Sequence, residues 1–101
     1  MFEGLANRVM NYPMARHGRR PADVYISECV RIARDYKADV VVHAINSACK
    51  WNWATAQLVK DTIYDELGIP TLCFELDPSD RRVLSFEGVK AKFEQFFELI
   101  L

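Results

Sequence analysis

The sequence has no apolar run of about 18 residues, so no segment reads as a membrane-spanning helix. The N-terminal MFEGLANRVMNYP carries an acid at Glu3 and no long apolar segment, so it does not read as a secretory signal. Cysteine is scarce. Cys29, Cys49 and Cys73 are three, an odd number, widely spaced. That argues against a disulfide framework and for a reducing cytoplasm. No CxxC pair occurs, so there is no self-contained zinc or thioredoxin signature. Charge of one sign is lacking too: 13 Lys and Arg stand against 14 Asp and Glu, a net charge of -1. That balance gives no electrostatic reason to expect nucleic acid or an anionic membrane. The one basic cluster, Arg16-His17-Gly18-Arg19-Arg20, reads first as a solvated loop and second as an anion site. No internal repeat or low-complexity segment is present.

What is present is apolar. Half of the 101 residues are hydrophobic, enough for a core in one small domain, residues 1–101. Phe2, Leu5, Ala6, Val9 and Met10 have helical spacing over 2–10, ended by Asn11-Tyr12-Pro13. Residues 13–21, with Pro13, Gly18 and Pro21, read as a loop. Tyr25, Ile26, Cys29, Val30, Ile32, Ala33 and Tyr36 give a helical stripe over 22–37. In it Cys29 reads as a buried small hydrophobe. DVVVHAI, 39–45, is a β-branched run apolar on both faces, as a parallel strand covered by helices would be. Ala56, Val59, Ile63 and Leu67 restore helical spacing over 53–67, with Gly68 placed as a C-cap. TLCFEL, 71–76, is a second buried strand holding Cys73. Asp77-Pro78-Ser79-Asp80 is a turn, Ser85 is an N-cap, and Val89, Phe93, Phe96, Phe97 and Ile100 mark a final amphipathic helix.

The order helix, helix, strand, helix, strand, helix predicts a small α/β domain of three-layer type. Its strands would be parallel, joined by a helical crossover, and flanked by helices, as part of a Rossmann- or flavodoxin-like sheet. Two strands make a thin sheet, so pairing with another copy or with a larger sheet is expected.

In parallel sheets ligands bind beyond the carboxyl ends of strands. Residues 46–52 form that loop here. HAINSACKWNW, 43–53, packs a histidine, a cysteine, a lysine and both tryptophans into it. Cys49 would lie three or four residues before the helix begins, and both the helix N-terminus and Lys50 favour its thiolate. A thiolate is what a metal, a cluster or an electrophile needs. Position alone leaves an inert loop thiol equally open. A Cys-phosphatase loop would want an arginine six residues on, where Thr55 stands. A Cys–His pair would use His43, which reads instead as a hydrogen-bonded strand histidine. Trp51 and Trp53 either stack on a ligand or cover the strand end.

YKADVVVHAINSACKW, LVKDTIYDELGIPTLCFELDPSD and FEGVKAKFEQFFELI, taken in order, resemble the C-terminal part of 2-hydroxyacyl-CoA dehydratase subunits. That family includes the related benzoyl-CoA reductase subunits. The carrying motifs are Ala38-Asp39-Val40-Val41-Val42, Cys49-Lys50, Gly68-Ile69-Pro70-Thr71-Leu72, Asp77 and the helix around Lys92-Phe93-Glu94. The clear match covers 36–100, and 1–35 fit more loosely. Val40 stands where the family has glycine, and Lys92 where it has arginine. The resemblance implies a [4Fe-4S] cluster held by three cysteines, of which Cys49 would be the last. His43, Asn46, Ser47, Lys50 and Trp51 would surround cluster or substrate. It further implies an acyl-CoA substrate, a homologous partner subunit and an ATP-dependent activator protein that delivers one electron. A ketyl radical then permits loss of a hydroxyl; the benzoyl-CoA relatives reduce an aromatic ring. The family's other two cluster cysteines belong to an upstream domain that Cys29 and Cys73 do not match. The reading is therefore a domain or fragment, inactive alone, contributing one thiolate and part of an acyl-CoA crevice. Two other readings stand beside it. One is a stand-alone binding or oligomerisation module without a cluster, with a homo-oligomer expected. The other is a small thiol-redox protein using Cys49.

Overall fold

The computed structural model describes residues 1–18, 21–83 and 85–101. The elements are α1 (Phe2–Met10), α2 (Pro13–Gly18), α3 (Ala22–Asp35), β1 (Val41–Asn46), α4 (Lys50–Leu67), β2 (Thr71–Leu76) and α5 (Phe86–Ile100). β1 and β2 pair in parallel, Val41 beside Thr71 through Asn46 beside Leu76. The expected α/β class and parallel pair are present.

The core lies on one face of this pair. Val30 of α3 packs with Val59 and Ile63 of α4, and Tyr25, Ile26, Cys29, Val41, Leu67 and Ile69 close around them. Four of α4's residues are buried, Thr55, Ala56, Val59 and Ile63. Their spacing places them on the stripe that faces α3 and the sheet. The other face is covered by α5, where Phe93 meets Phe74 of β2 edge-on at 5.9 Å. Helices thus flank the sheet on both sides.

Local chemistry fixes the ends of the elements. Gly68 ends α4 at φ 68°, a left-handed conformation that costs glycine nothing, and its N–H returns to Tyr64 O. Ser85 caps α5, its Oγ accepting from Gly88 N at 3.1 Å, as expected. Asp77 turns the chain by accepting from Ser79 N at 2.8 Å.

Several boundaries differ from the sequence reading. Residues 13–18 are a short helix, not loop: Pro13 has the φ a first helical position needs. α3 stops at Asp35 because Lys37 turns left-handed at φ 51°, with Ala38 N bonding Ala33 O and Lys37 N bonding Arg34 O. β1 begins at Val41, where Val41 N reaches Pro70 O and pairing with β2 starts. β1 is also not covered on both faces. α5 lies over β2, so Val42 stays 44% exposed and Ala44 is exposed beside it. Of the basic cluster, Arg16 pairs with Glu28 at 3.2 Å, while Arg19 and Arg20 lie outside the described residues. Among the described residues no helix is long and apolar enough to cross a membrane.

Candidate functional site at the end of β1

The turn after β1 is shorter than expected. α4 begins at Lys50, so Cys49 is its N-cap residue rather than lying three or four residues upstream. Residues 50–52 are helical, not loop. No side chain marked this start: Cys49 makes no side-chain cap bond, unlike the Ser, Thr, Asp or Asn that usually sit there.

The turn is held from three directions. Cys49 N donates to Asn46 O at 3.0 Å, and Ala48 N donates to Asn46 Oδ1 at 3.0 Å. Asn46, the last residue of β1, so closes the turn with backbone and side chain together. Ser47 ties the turn to the end of β2: its N–H and its hydroxyl both donate to Leu76 O, at 2.9 and 3.0 Å. Trp53 Nε1 donates to Ser47 O at 3.2 Å from the first turn of α4. Trp53 therefore covers the strand end. Trp51 faces the other way, its ring 6.4 Å from Tyr25 of α3. Both tryptophans have packing roles.

The Cys49 side chain is partly exposed at this N-terminus, and Lys50 beside it is exposed. The first amides of a helix lack intrahelical acceptors and carry partial positive charge. A group bonded to Cys49 Sγ would meet that field. The other two thiols sit differently. Cys29 packs against the core, and burial pushes its thiol up despite an opposing hydrogen bond from Tyr25. Cys73 lies on β2, and burial pushes its thiol up against the pull of Lys60. Both are half-buried rather than fully enclosed.

His43 is the strand histidine the sequence suggested. Its Nε2 lies 3.4 Å from the Tyr25 hydroxyl, while its Nδ1 is buried without a hydrogen-bond partner. Burial lowers its pKa. Burial, then the neighbouring Cys29, push Tyr25 up to about 12. His43 is directed at α3 and stands in register with Cys73, well inside the strand. The structure therefore joins Asn46, Ser47, Cys49 and Trp53 at the turn and places His43 with Tyr25 and Trp51 beneath it. Tyr25 escaped the sequence reading as a site neighbour. Its only signal was its place four residues before Cys29 on the apolar stripe of α3.

The donor set fits one coordination position at the turn. Among the described residues no group of three His, Cys, Asp or Glu converges as a metal site. A cubane needs several thiolates, so the described residues alone do not hold one. A groove of about 600 Å³ between α4, β2 and α5 is lined by Tyr64, Cys73 and Phe96. It opens near Pro70 and Thr71, at the end of the sheet opposite Cys49.

A parallel β–α–β unit flanked by helices defines the class of this chain, a small α/β domain with Cys49 at the N-cap position of the crossover helix. The chain belongs to the 2-hydroxyglutaryl-CoA dehydratase, D-component family, whose model matches residues 1–100. The match takes in α1 to α3 as well as the segment from residue 36 that carried the clearest resemblance. No curated protein and no solved structure is significantly similar.

Proposed function

We propose that this chain is a single α/β domain, residues 1–101, of a 2-hydroxyacyl-CoA dehydratase-type subunit, a class that includes the benzoyl-CoA reductase relatives. It contributes Cys49 as one thiolate of a [4Fe-4S] cluster and forms part of an acyl-CoA crevice. The remaining cluster ligands come from other polypeptide, so the chain is inactive alone. The chemistry such a cluster supplies is one-electron reduction of a CoA thioester, with the electron delivered by an ATP-dependent activator. The setting is the reducing cytoplasm, with a homologous subunit as partner. Within this reading the chain's own residues position the thiolate. Asn46 and Ser47 fix the turn that carries Cys49, and Trp53 covers it.

The observation that carries the reading is Cys49 at the α4 N-cap, its side chain free of capping duty, in a chain matched by this family from residue 1 to 100. The test is anaerobic ligand exchange with a synthetic [4Fe-4S] cluster bearing small thiolates, which fill the positions the chain does not. Chain-bound iron and acid-labile sulfide are expected for the wild type, Cys29→Ser and Cys73→Ser, and are expected to be lost in Cys49→Ser. Equal uptake by Cys49→Ser overturns the assignment.

A second reading, a stand-alone binding or oligomerisation module without a cluster, is favoured by a separate observation. α1 and α5 contain no buried residue, yet carry exposed Phe2, Leu5, Phe86 and Leu99. The radius of gyration is 15.8 Å, against about 13 Å for a compact chain of this length. Such surfaces are built to be covered.

A further inference from the structure

The groove of about 600 Å³ has Pro70 to Cys73 as its floor, one wall from α4 and one from α5. Among the described residues none from β1 or α3 lines it. α4 packs on the core face of the sheet and α5 on the other. A groove that touches both helices but only β2 therefore runs along the outer edge of β2, between two helical walls.

The parallel ladder decides which backbone groups face this groove. Val41 N donates to Pro70 O and Ser47 N to Leu76 O, with Val41 in register with Thr71. In that register Leu72, Phe74 and Leu76 turn their N–H and C=O groups toward β1, and Thr71, Cys73 and Glu75 turn theirs outward. Among the described residues the outward groups have no hydrogen-bond partner. β2 also lacks the usual blocks on a sheet edge: TLCFEL has no lysine or proline, and its six residues pair without a bulge. The Thr71 hydroxyl is a further unmet group in the floor. The residue is 5% exposed and its Oγ1 is buried without a partner. Unpaired donors and acceptors in strand geometry, walled on both faces, fit an extended main chain.

The two walls differ in chemistry, and the side chains of an added strand would alternate between them. The α5 wall is apolar, with Phe96, Leu99 and Ile100. The α4 wall sets Asp61 and Asp65 against Lys60, a net negative charge. Asp61 accepts from Gln57 Nε2 at 2.7 Å, while Asp65 has no ion-pair partner among the described residues.

We infer that the outer edge of β2 takes an extended peptide as an added strand, with apolar side chains against α5 and a basic residue against Asp65 of α4. The floor from Pro70 to Cys73 is about 13 Å long, room for about four extended residues. The site lies at the end of the sheet opposite Cys49 and stands apart from the cluster reading.

The test uses the full chain and a capped pentapeptide of alternating valine and lysine, with amide hydrogen exchange resolved by residue. In the chain alone the amides of Thr71 and Cys73 are expected to exchange faster than those of Leu72 and Phe74. The peptide is expected to slow Thr71 and Cys73. N-methylation of one alternate set of peptide amides is expected to abolish binding, and of the other set to leave it. A valine–glutamate peptide is expected to bind about tenfold more weakly. Asp65→Lys is expected to weaken the lysine peptide about fivefold. Leu99→Ser, at a site 79% exposed, is expected to weaken it about tenfold, with circular dichroism showing that both variants fold. Absence of binding overturns the proposal, as does binding that leaves the Thr71 and Cys73 amides fast. Equal binding by the two N-methylated peptides, or by the glutamate peptide, also overturns it. So does protection of these two amides that rises with chain concentration alone, since a second copy would then be the occupant.

Discussion

Ile63→Ala is the sharpest test of how α4 and the turn before it are held. Ile63 is 1% exposed, among Val30, Val59 and the side chains around them. The substitution removes three carbons, worth about 2.4 kcal/mol at about 0.8 kcal/mol each. A cavity bounded by two helices and a two-stranded sheet collapses only in part, which raises the cost to about 3–4 kcal/mol. A domain of this size holds about 5–15 kcal/mol in all, so this is a large share. With a urea m-value of about 1.5 kcal/mol/M, the midpoint falls by about 2 M. Leu99→Ala, at a site 79% exposed, is the control and is expected to change stability by less than about 0.5 kcal/mol. Urea unfolding followed by tryptophan fluorescence measures both, since Trp51 and Trp53 report the start of α4. Equal losses in the two variants would refute a core centred on the α3–α4–β1 contact.

Three further outcomes follow from named side chains. Burial holds the folded-state pKa of His43 below its ordinary 6.5. Its contribution is therefore complete above about 6.5 and is lost as pH falls through the lower folded value. The urea midpoint should drop between pH 7.5 and pH 5.5, and the drop should shrink in His43→Gln; an unchanged slope in the variant contradicts this. Lys37 occupies a left-handed position at φ 51° that costs a side chain about 1 kcal/mol. Lys37→Gly should raise the thermal midpoint, and a fall would show that α3 is not ended by this turn. Ser85→Ala removes the cap of α5 and should cost about 1 kcal/mol, a fall of about 4 °C in Tm by calorimetry.

The strands, the long helices and the parallel pairing were legible because hydrophobic period and turn chemistry agreed. Gly68 and Ser85 stood where a cap is needed, and both serve as one. The start of α4 was hidden because Cys49 caps it without a capping side chain. The end of α3 was hidden because a lysine takes the place usual for glycine. The bare face of β1 could not be read from VVVHAI, since apolar residues look alike whether a helix covers them or not. At the site, a turn after β1 was legible from the strand's end, but its length was not, since α4 begins at Lys50 and makes Cys49 the N-cap residue. The hold of Ser47 on Leu76 and the approach of Tyr25 to His43 were not, because each joins residues distant in sequence.

The central claim is that Cys49, and not Cys29 or Cys73, is the thiol this unit offers for chemistry. The most direct measurement is the alkylation rate of each cysteine in the native chain under anaerobic conditions, resolved by peptide mass spectrometry. Cys49 should react first, with Cys29 and Cys73 slowed by the burial that raises their thiols. Reaction of Cys29 or Cys73 at the rate of Cys49 or faster would contradict the account.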